Sequence, residues 1–110
     1  MTTAELLRRA KSLLEERGWT QGVYARVGDR PCHPWADNPT SFCSAGAVMA
    51  ASQCVAQDGY SHLAEKAVIA LQGAIGGTVA FFNDAPGRTK DEVLAAFDRA
   101  IEIAEREASK

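Results

Sequence analysis

The stretch from Phe42 to Gln57 constrains the fold more than any other part of the chain, because it carries no charged residue and consists mostly of small side chains. A helix that is apolar on every side is normally buried on every side, and small side chains let neighbouring backbones approach closely. We therefore predict a central helix over about 41–57. A hydroxyl of Thr40 or Ser41 would cap its N-terminus, and Pro39 would prevent an earlier helix from running into it.

Amphipathic patterns predict further helices on either side of this segment. Thr2–Glu5 and Thr89–Glu92 are capping-box patterns, in which a hydroxyl residue is followed three positions later by Glu. Apolar residues at helical spacing follow each of them, and the same spacing recurs over 61–75. The predicted fold is thus mostly α, with about four helices packed around the central one. The 110 residues fit one helical domain over 1–110.

Two segments do not follow a helical pattern. Residues 19–39 are rich in glycine and proline, which predicts an irregular loop or short strand excursion. We expect Trp19, Tyr24 and Trp35 to pack this segment onto the helices, with a ligand-stacking platform as the alternative. The run 78–82 could form a helical turn or a buried strand, and 83–87 has the composition of a turn.

Charge and hydropathy limit the partners that we expect. The net charge of −2 and the scattered basic residues argue against nucleic acid, which requires a concentrated basic face. The longest apolar stretch is shorter than the ~20 residues of a membrane span. The first residues are typical of an amphipathic helix and not of an export signal, so we expect a cytoplasmic protein with reduced thiols.

Three short motifs occur in a recognisable order. They are Gly18–Gly22 (GWTQG), Phe42–Ala47 (FCSAGA) and Phe82–Asp84 (FND). This order resembles a family of small bacterial and phage proteins catalogued as a domain of unknown function. In that family an aromatic-Cys-x-x-Gly-Ala segment precedes an aromatic-Asn-Asp turn, often with Trp where this chain has Phe. The resemblance covers about residues 6–103, implies a shared fold and implies no activity. The residues it marks as family features are Cys43, Gly46, Asn83 and Asp84.

Cys43 is a candidate nucleophile. A thiol in the first turn of a helix has its pKa lowered by the helix dipole and the free N–H groups. A nucleophilic cysteine also needs a base and a group that orients the base. His62 or His33 could serve as base, with Asn83 or Asp84 as the orienting group. The alternative is a cysteine buried in the core, which is the commoner use of this residue.

A zinc site is a second candidate. The residues that could supply ligand atoms are Cys32, His33, Cys43, Cys54 and His62. Cys43 and Cys54 are three helical turns apart, about 16 Å along a helix axis, so both cannot bind one ion. A site that uses Cys32, His33 and one other cysteine is the alternative, but because CxxC-type spacing is missing, we expect neither a metal nor a cofactor.

The sequence favours a non-enzymatic binding, interaction or accessory module, with a cysteine-dependent hydrolase or transferase using Cys43 as the alternative. Asn83 and Asp84 would either cap a turn or face a pocket beside Cys43 and bind a polar ligand. The partner would be a protein or a small molecule, and a homodimer formed through 79–82 is a further candidate. The candidate ligand-binding residues are Cys43, Asn83, Asp84, Trp19, Tyr24 and Trp35.

Overall fold

A computed structural model of the protein describes residues 1–52 and 60–109. These residues form five helices and three short strands, which confirms the mostly α fold. In chain order the elements are α1 (Thr3–Glu16), β1 (Ala25–Val27), β2 (Arg30–Cys32), β3 (Ser41–Phe42), α2 (Ser44–Ser52), α3 (Tyr60–Ile75), α4 (Val79–Asp84) and α5 (Lys90–Ala108).

Helices α1 and α5 begin as predicted. The side chains of Thr2 and Thr89 each accept a hydrogen bond from the backbone N–H three positions later. In return, the backbone N–H groups of Thr2 and Thr89 donate to the carboxylates of Glu5 and Glu92. The apolar face of α1 is buried except for Leu13, which is half-buried, and it packs against α2, α3 and α5. Because these patterns are local, the sequence alone was sufficient to place both helices.

Helix α2 occupies the predicted central position. None of its residues is exposed, and it packs against α1, α3 and α4. It begins at Ser44 and not near 41, because Ser41 and Phe42 pair with β1 as strand β3. The predicted hydroxyl cap is therefore wrong, and Thr40 instead accepts from the N–H of Gly28 at 2.9 Å. The remainder of the predicted helix, 53–57, lies outside the described residues.

The segment 19–39 contains strands, as one of the two predictions for it allowed. Strand β1 lies between β2 and β3 in a small antiparallel sheet, with Ala25 opposite both Cys32 and Phe42. The β1–β2 turn passes through Gly28, whose φ of +59° is accessible to glycine without steric cost. Ala25 is fully buried, so the sheet is held against the helical core.

The run that the sequence left unassigned is helix α4. Asn83 and Asp84 are its last two residues, so the prediction that they belong to a turn is wrong. Val79 is buried, whereas Phe81 on the same short helix is 81% exposed. Over the described part of the chain, no helix combines the length and the apolar character needed to cross a membrane.

Candidate functional site

The side chain of Asn83 is the centre of a buried hydrogen-bond network. Its Oδ1 accepts from the indole Nε1–H of Trp19 at 2.7 Å and from Ser44 twice, from the backbone N–H at 2.9 Å and from Oγ at 2.7 Å. Its Nδ2 donates to the carbonyl of Thr20 at 3.0 Å and to Oδ1 of Asp84 at 2.9 Å. Both amide donors are thus used, and the side chain is only 1% exposed.

The segment around Gln21 is attached to the end of α4 by further hydrogen bonds. Gln21 Nε2 donates to the carbonyls of Asn83 at 2.9 Å and Ala85 at 3.1 Å. The N–H of Gly22 donates to Oδ1 of Asp84 at 2.9 Å. The GWTQG, FCSAGA and FND motifs therefore meet at Asn83, although they are far apart in the sequence.

The Cys-x-x-Gly pattern has a structural explanation at the start of α2. Cys43 directly precedes the helix, and its Sγ accepts from the N–H of Gly46 at 3.2 Å, which is the geometry of a side-chain cap. The N–H of Cys43 donates to the carbonyl of Tyr24 at 3.0 Å. A Cβ added to Gly46 would overlap that same carbonyl oxygen. Glycine at this position therefore lets the strand approach the first turn of the helix.

Burial raises the pKa of the Cys43 thiol above its usual value. The N–H groups of Gly46 and Ala45 act in the opposite direction, as the sequence argument expected for a thiol at a helix N-terminus. Burial is the larger effect, and the negative charge of Asp84 also disfavours the thiolate. The expected lowering of the pKa is therefore wrong in its net direction.

A pocket of about 700 Å³ opens beside this network. Its walls come from the segment before β1, the end of β2, the start of α2 and helix α4. We call it the motif pocket, and the residues that line it are Gly22, Val23, Tyr24, Pro31, Cys32, His33, Cys43, Ala45, Val79, Ala80, Asn83 and Asp84. The walls are predominantly apolar, and Asp84 is the single carboxylate among these residues.

The three aromatic residues predicted to anchor the segment 19–39 have different environments. Trp19 is half-buried and bonded to Asn83, so it is an anchor. Tyr24 and Trp35 are 53% and 48% exposed, so the anchoring prediction is wrong for both. Tyr24 lines the motif pocket, whereas Trp35 lies outside the lining and stacks on His33, with ring centroids 4.8 Å apart.

The candidate catalytic residues are only partly brought together. Cys43, His33 and Asp84 line one pocket, but His62 is exposed on α3, outside that lining. Cys43 and His33 follow the outer strands β3 and β2, which pair with opposite edges of β1. Within residues 1–52 and 60–109, no hydrogen bond joins the thiol to an imidazole.

The described residues also contain no cluster of three or more His, Cys, Asp or Glu side chains that could hold a metal ion. Cys32 and Cys43 are free thiols. Cys54, the third cysteine of the predicted zinc candidates, lies outside the described residues.

Sequence reasoning did not identify Gln21, Ser44 or Thr20 as parts of the site. All three are hydrogen-bonded to Asn83 and lie at least 39 residues from it in the sequence. No local pattern could therefore reveal these contacts. The sequence feature that could have indicated these residues is their position inside the GWTQG and FCSAGA motifs.

Comparison with known proteins identifies the family of the chain. No curated protein and no solved structure is detectably similar to the chain. The model of a family described as "Family of unknown function (DUF6197)" matches residues 1–103, which contain all three motifs that meet at Asn83. The protein is therefore a member of the DUF6197 family of unknown function.

Proposed function

We propose that the protein is a non-enzymatic, cytoplasmic binding module, an accessory protein whose ligand occupies the motif pocket. The observation that carries this proposal is the position of the pocket beside the Asn83 network, where the GWTQG, FCSAGA and FND motifs meet. Its volume of about 700 Å³ lies within the range of small-molecule sites, which are typically apolar with a few polar groups.

The surroundings of the pocket favour binding because hydrogen bonds fix its polar lining residues Asn83 and Asp84. Asn83 has its side-chain amide fully bonded, and Asp84 is oriented by hydrogen bonds from Gly22 and Asn83. Among the described residues, every buried side-chain nitrogen and oxygen has a partner. A site with this much prior order loses little conformational entropy when a ligand binds.

The alternative, a cysteine-dependent enzyme, has less support. The Sγ of Cys43 already accepts a hydrogen bond from Gly46, and burial favours the protonated thiol. His33 lines the same pocket but its ring stacks on Trp35. A nucleophilic thiol requires a base within hydrogen-bond reach and an accessible thiolate, and these contacts provide neither.

Ligand-observed NMR tests the proposal with a defined mixture of small amines, carboxylates, sugars and neutral aromatic compounds. Ala80→Trp would fill the motif pocket from the exposed side of α4. Ala95→Trp adds the same side chain to an exposed position of α5 outside the pocket and is the matched control. We expect at least one compound class to bind the wild-type protein and Ala95→Trp but not Ala80→Trp. The proposal would be contradicted if no compound class binds the wild-type protein, or if Ala80→Trp leaves the binding unchanged.

A further inference from the structure

The charge distribution of the motif pocket is one-sided. Asp84 supplies a carboxylate, and no Lys or Arg occurs among the described lining residues. An anionic ligand would meet the like charge of Asp84, whereas a cationic ligand would gain from it. From this complementarity we infer that the pocket binds a small organic cation, with its ammonium group at Asp84 and its apolar body against the remaining walls. This inference rests on the proposed function and specifies its ligand class.

The carboxylate of Asp84 is oriented and still has binding capacity. The N–H of Gly22 and the Nδ2 of Asn83 both donate to Oδ1, at 2.9 Å each. An ionised carboxylate offers about four lone-pair positions on two oxygens, so Oδ2 is left to accept from a ligand. Charge-assisted hydrogen bonds of this kind are stronger than neutral ones.

The remaining walls suit the apolar part of such a ligand. Val23, Val79 and Ala80 contribute aliphatic surface. Tyr24 lines the pocket and is 53% exposed, and an aromatic face attracts a cation through its quadrupole. A compound with an aromatic or aliphatic body and one ammonium group matches both features.

Three probes that share a body and differ in charge test the inference: phenethylammonium, phenethyl alcohol and hydrocinnamate. Their dissociation constants follow from titrations of the ¹⁵N-labelled protein, monitored by amide chemical shifts. Asp84 is exposed, so we expect the ammonium compound to bind about fivefold more tightly than the alcohol, the upper range for solvent-exposed ion pairs. Hydrocinnamate should bind most weakly. Asp84→Asn keeps an oxygen that can accept from Gly22 and should reduce this preference to near unity.

Asp37→Asn is the control, because Asp37 is exposed, lies outside the pocket lining and carries the same charge. It should retain the preference.

A measurement on the wild-type protein avoids dependence on the folding of the variants. Raising the ionic strength from about 0.01 M to about 1 M shortens the Debye length from about 30 Å to about 3 Å. This should weaken binding of the ammonium compound and leave binding of the alcohol nearly unchanged.

Equal affinity for the ammonium compound and the alcohol, or tightest binding of hydrocinnamate, would overturn the inference and leave the proposed binding function intact. An equal loss of preference in Asp37→Asn and Asp84→Asn would overturn it in the same way. If no probe binds and no class in the mixture binds, both the inference and the proposed function fail.

Discussion

The backbone N–H of Ser44 donates to the side-chain oxygen of Asn83 at 2.9 Å, across 39 residues of sequence. This bond joins the first residue of α2 to the penultimate residue of α4. It satisfies one of the N–H groups that every helix leaves unpaired at its N-terminus. The same Asn83 oxygen receives the indole N–H of Trp19, so one side chain fixes three separate parts of the fold.

Asn83→Ala should therefore be strongly destabilising. It leaves the Ser44 N–H and the Trp19 indole without their partner, and each such buried group costs about 1–3 kcal/mol. We expect the free energy of unfolding to fall by about 3 kcal/mol or more in urea denaturation. Ser44→Ala removes only the hydroxyl donor and should cost about 1 kcal/mol. Equal losses in the two variants would refute the central role of Asn83.

Two glycines in helices should respond oppositely to the same substitution. Gly46→Ala forces the carbonyl of Tyr24 away from the start of α2, so we expect a loss of about 3 kcal/mol or failure to fold. Gly73→Ala meets only Ile103 Cδ1 at 3.7 Å, an ordinary contact, and should stabilise by about 0.5–1 kcal/mol through helix propensity. Thermal unfolding of both variants tests this contrast, and a well-tolerated Gly46→Ala would show that the close approach is unimportant.

Cys43 should react slowly with iodoacetamide, because burial raises the pKa of its thiol. Peptide-resolved mass spectrometry gives its rate against pH, with half-buried Cys32 as internal comparison. The midpoint for Cys43 should lie above the usual thiol value of about 8.5. Since the unfolded chain then releases the proton first, the free energy of unfolding should also decrease as the pH rises above that value. A midpoint below 8.5 would revive the nucleophile hypothesis.

The two capping boxes should make the protein sensitive to acid. Hydrogen bonds from Thr2 and Thr89 lower the pKa of Glu5 and Glu92 below the ordinary value of 4.5. The folded state then binds fewer protons than the unfolded chain, so this stabilisation is present above pH 4.5 and is lost as the pH falls through the folded-state pKa values. Urea denaturation of a Glu5→Gln/Glu92→Gln variant should show a smaller loss on acidification than the wild type. Glu16→Gln, outside either capping box, should behave as the wild type does.

The parts of the fold that the sequence predicted depend on neighbouring residues. Thr2 and Thr89 cap their helices through contacts three positions away, and the uncharged composition of α2 alone indicates its burial. Helix α2 begins later than predicted because β1 pairs with Ser41 and Phe42. That pairing joins residues about fifteen positions apart and leaves no local pattern.

Some residues of the candidate site could be predicted from the sequence, but their chemistry could not. The resemblance marked Cys43, Asn83 and Asp84, and all three line one pocket. The net pKa shift of Cys43 depends on burial beneath other elements, and the role of Asn83 depends on Trp19, 64 residues away. Neither the pKa shift of Cys43 nor the role of Asn83 can be obtained from the spacing of residues in the sequence.

The most direct test of the account is to map which backbone amides change chemical shift when phenethylammonium, phenethyl alcohol or hydrocinnamate is added. If the motif pocket is the binding site, the largest changes for any probe that binds should occur at Tyr24, Cys43 and Asp84, which lie on three of its walls. A separate cavity lies between α2 and α3 and is lined by Met49 and Ile69, among others. Chemical-shift changes centred on those two residues would contradict the account.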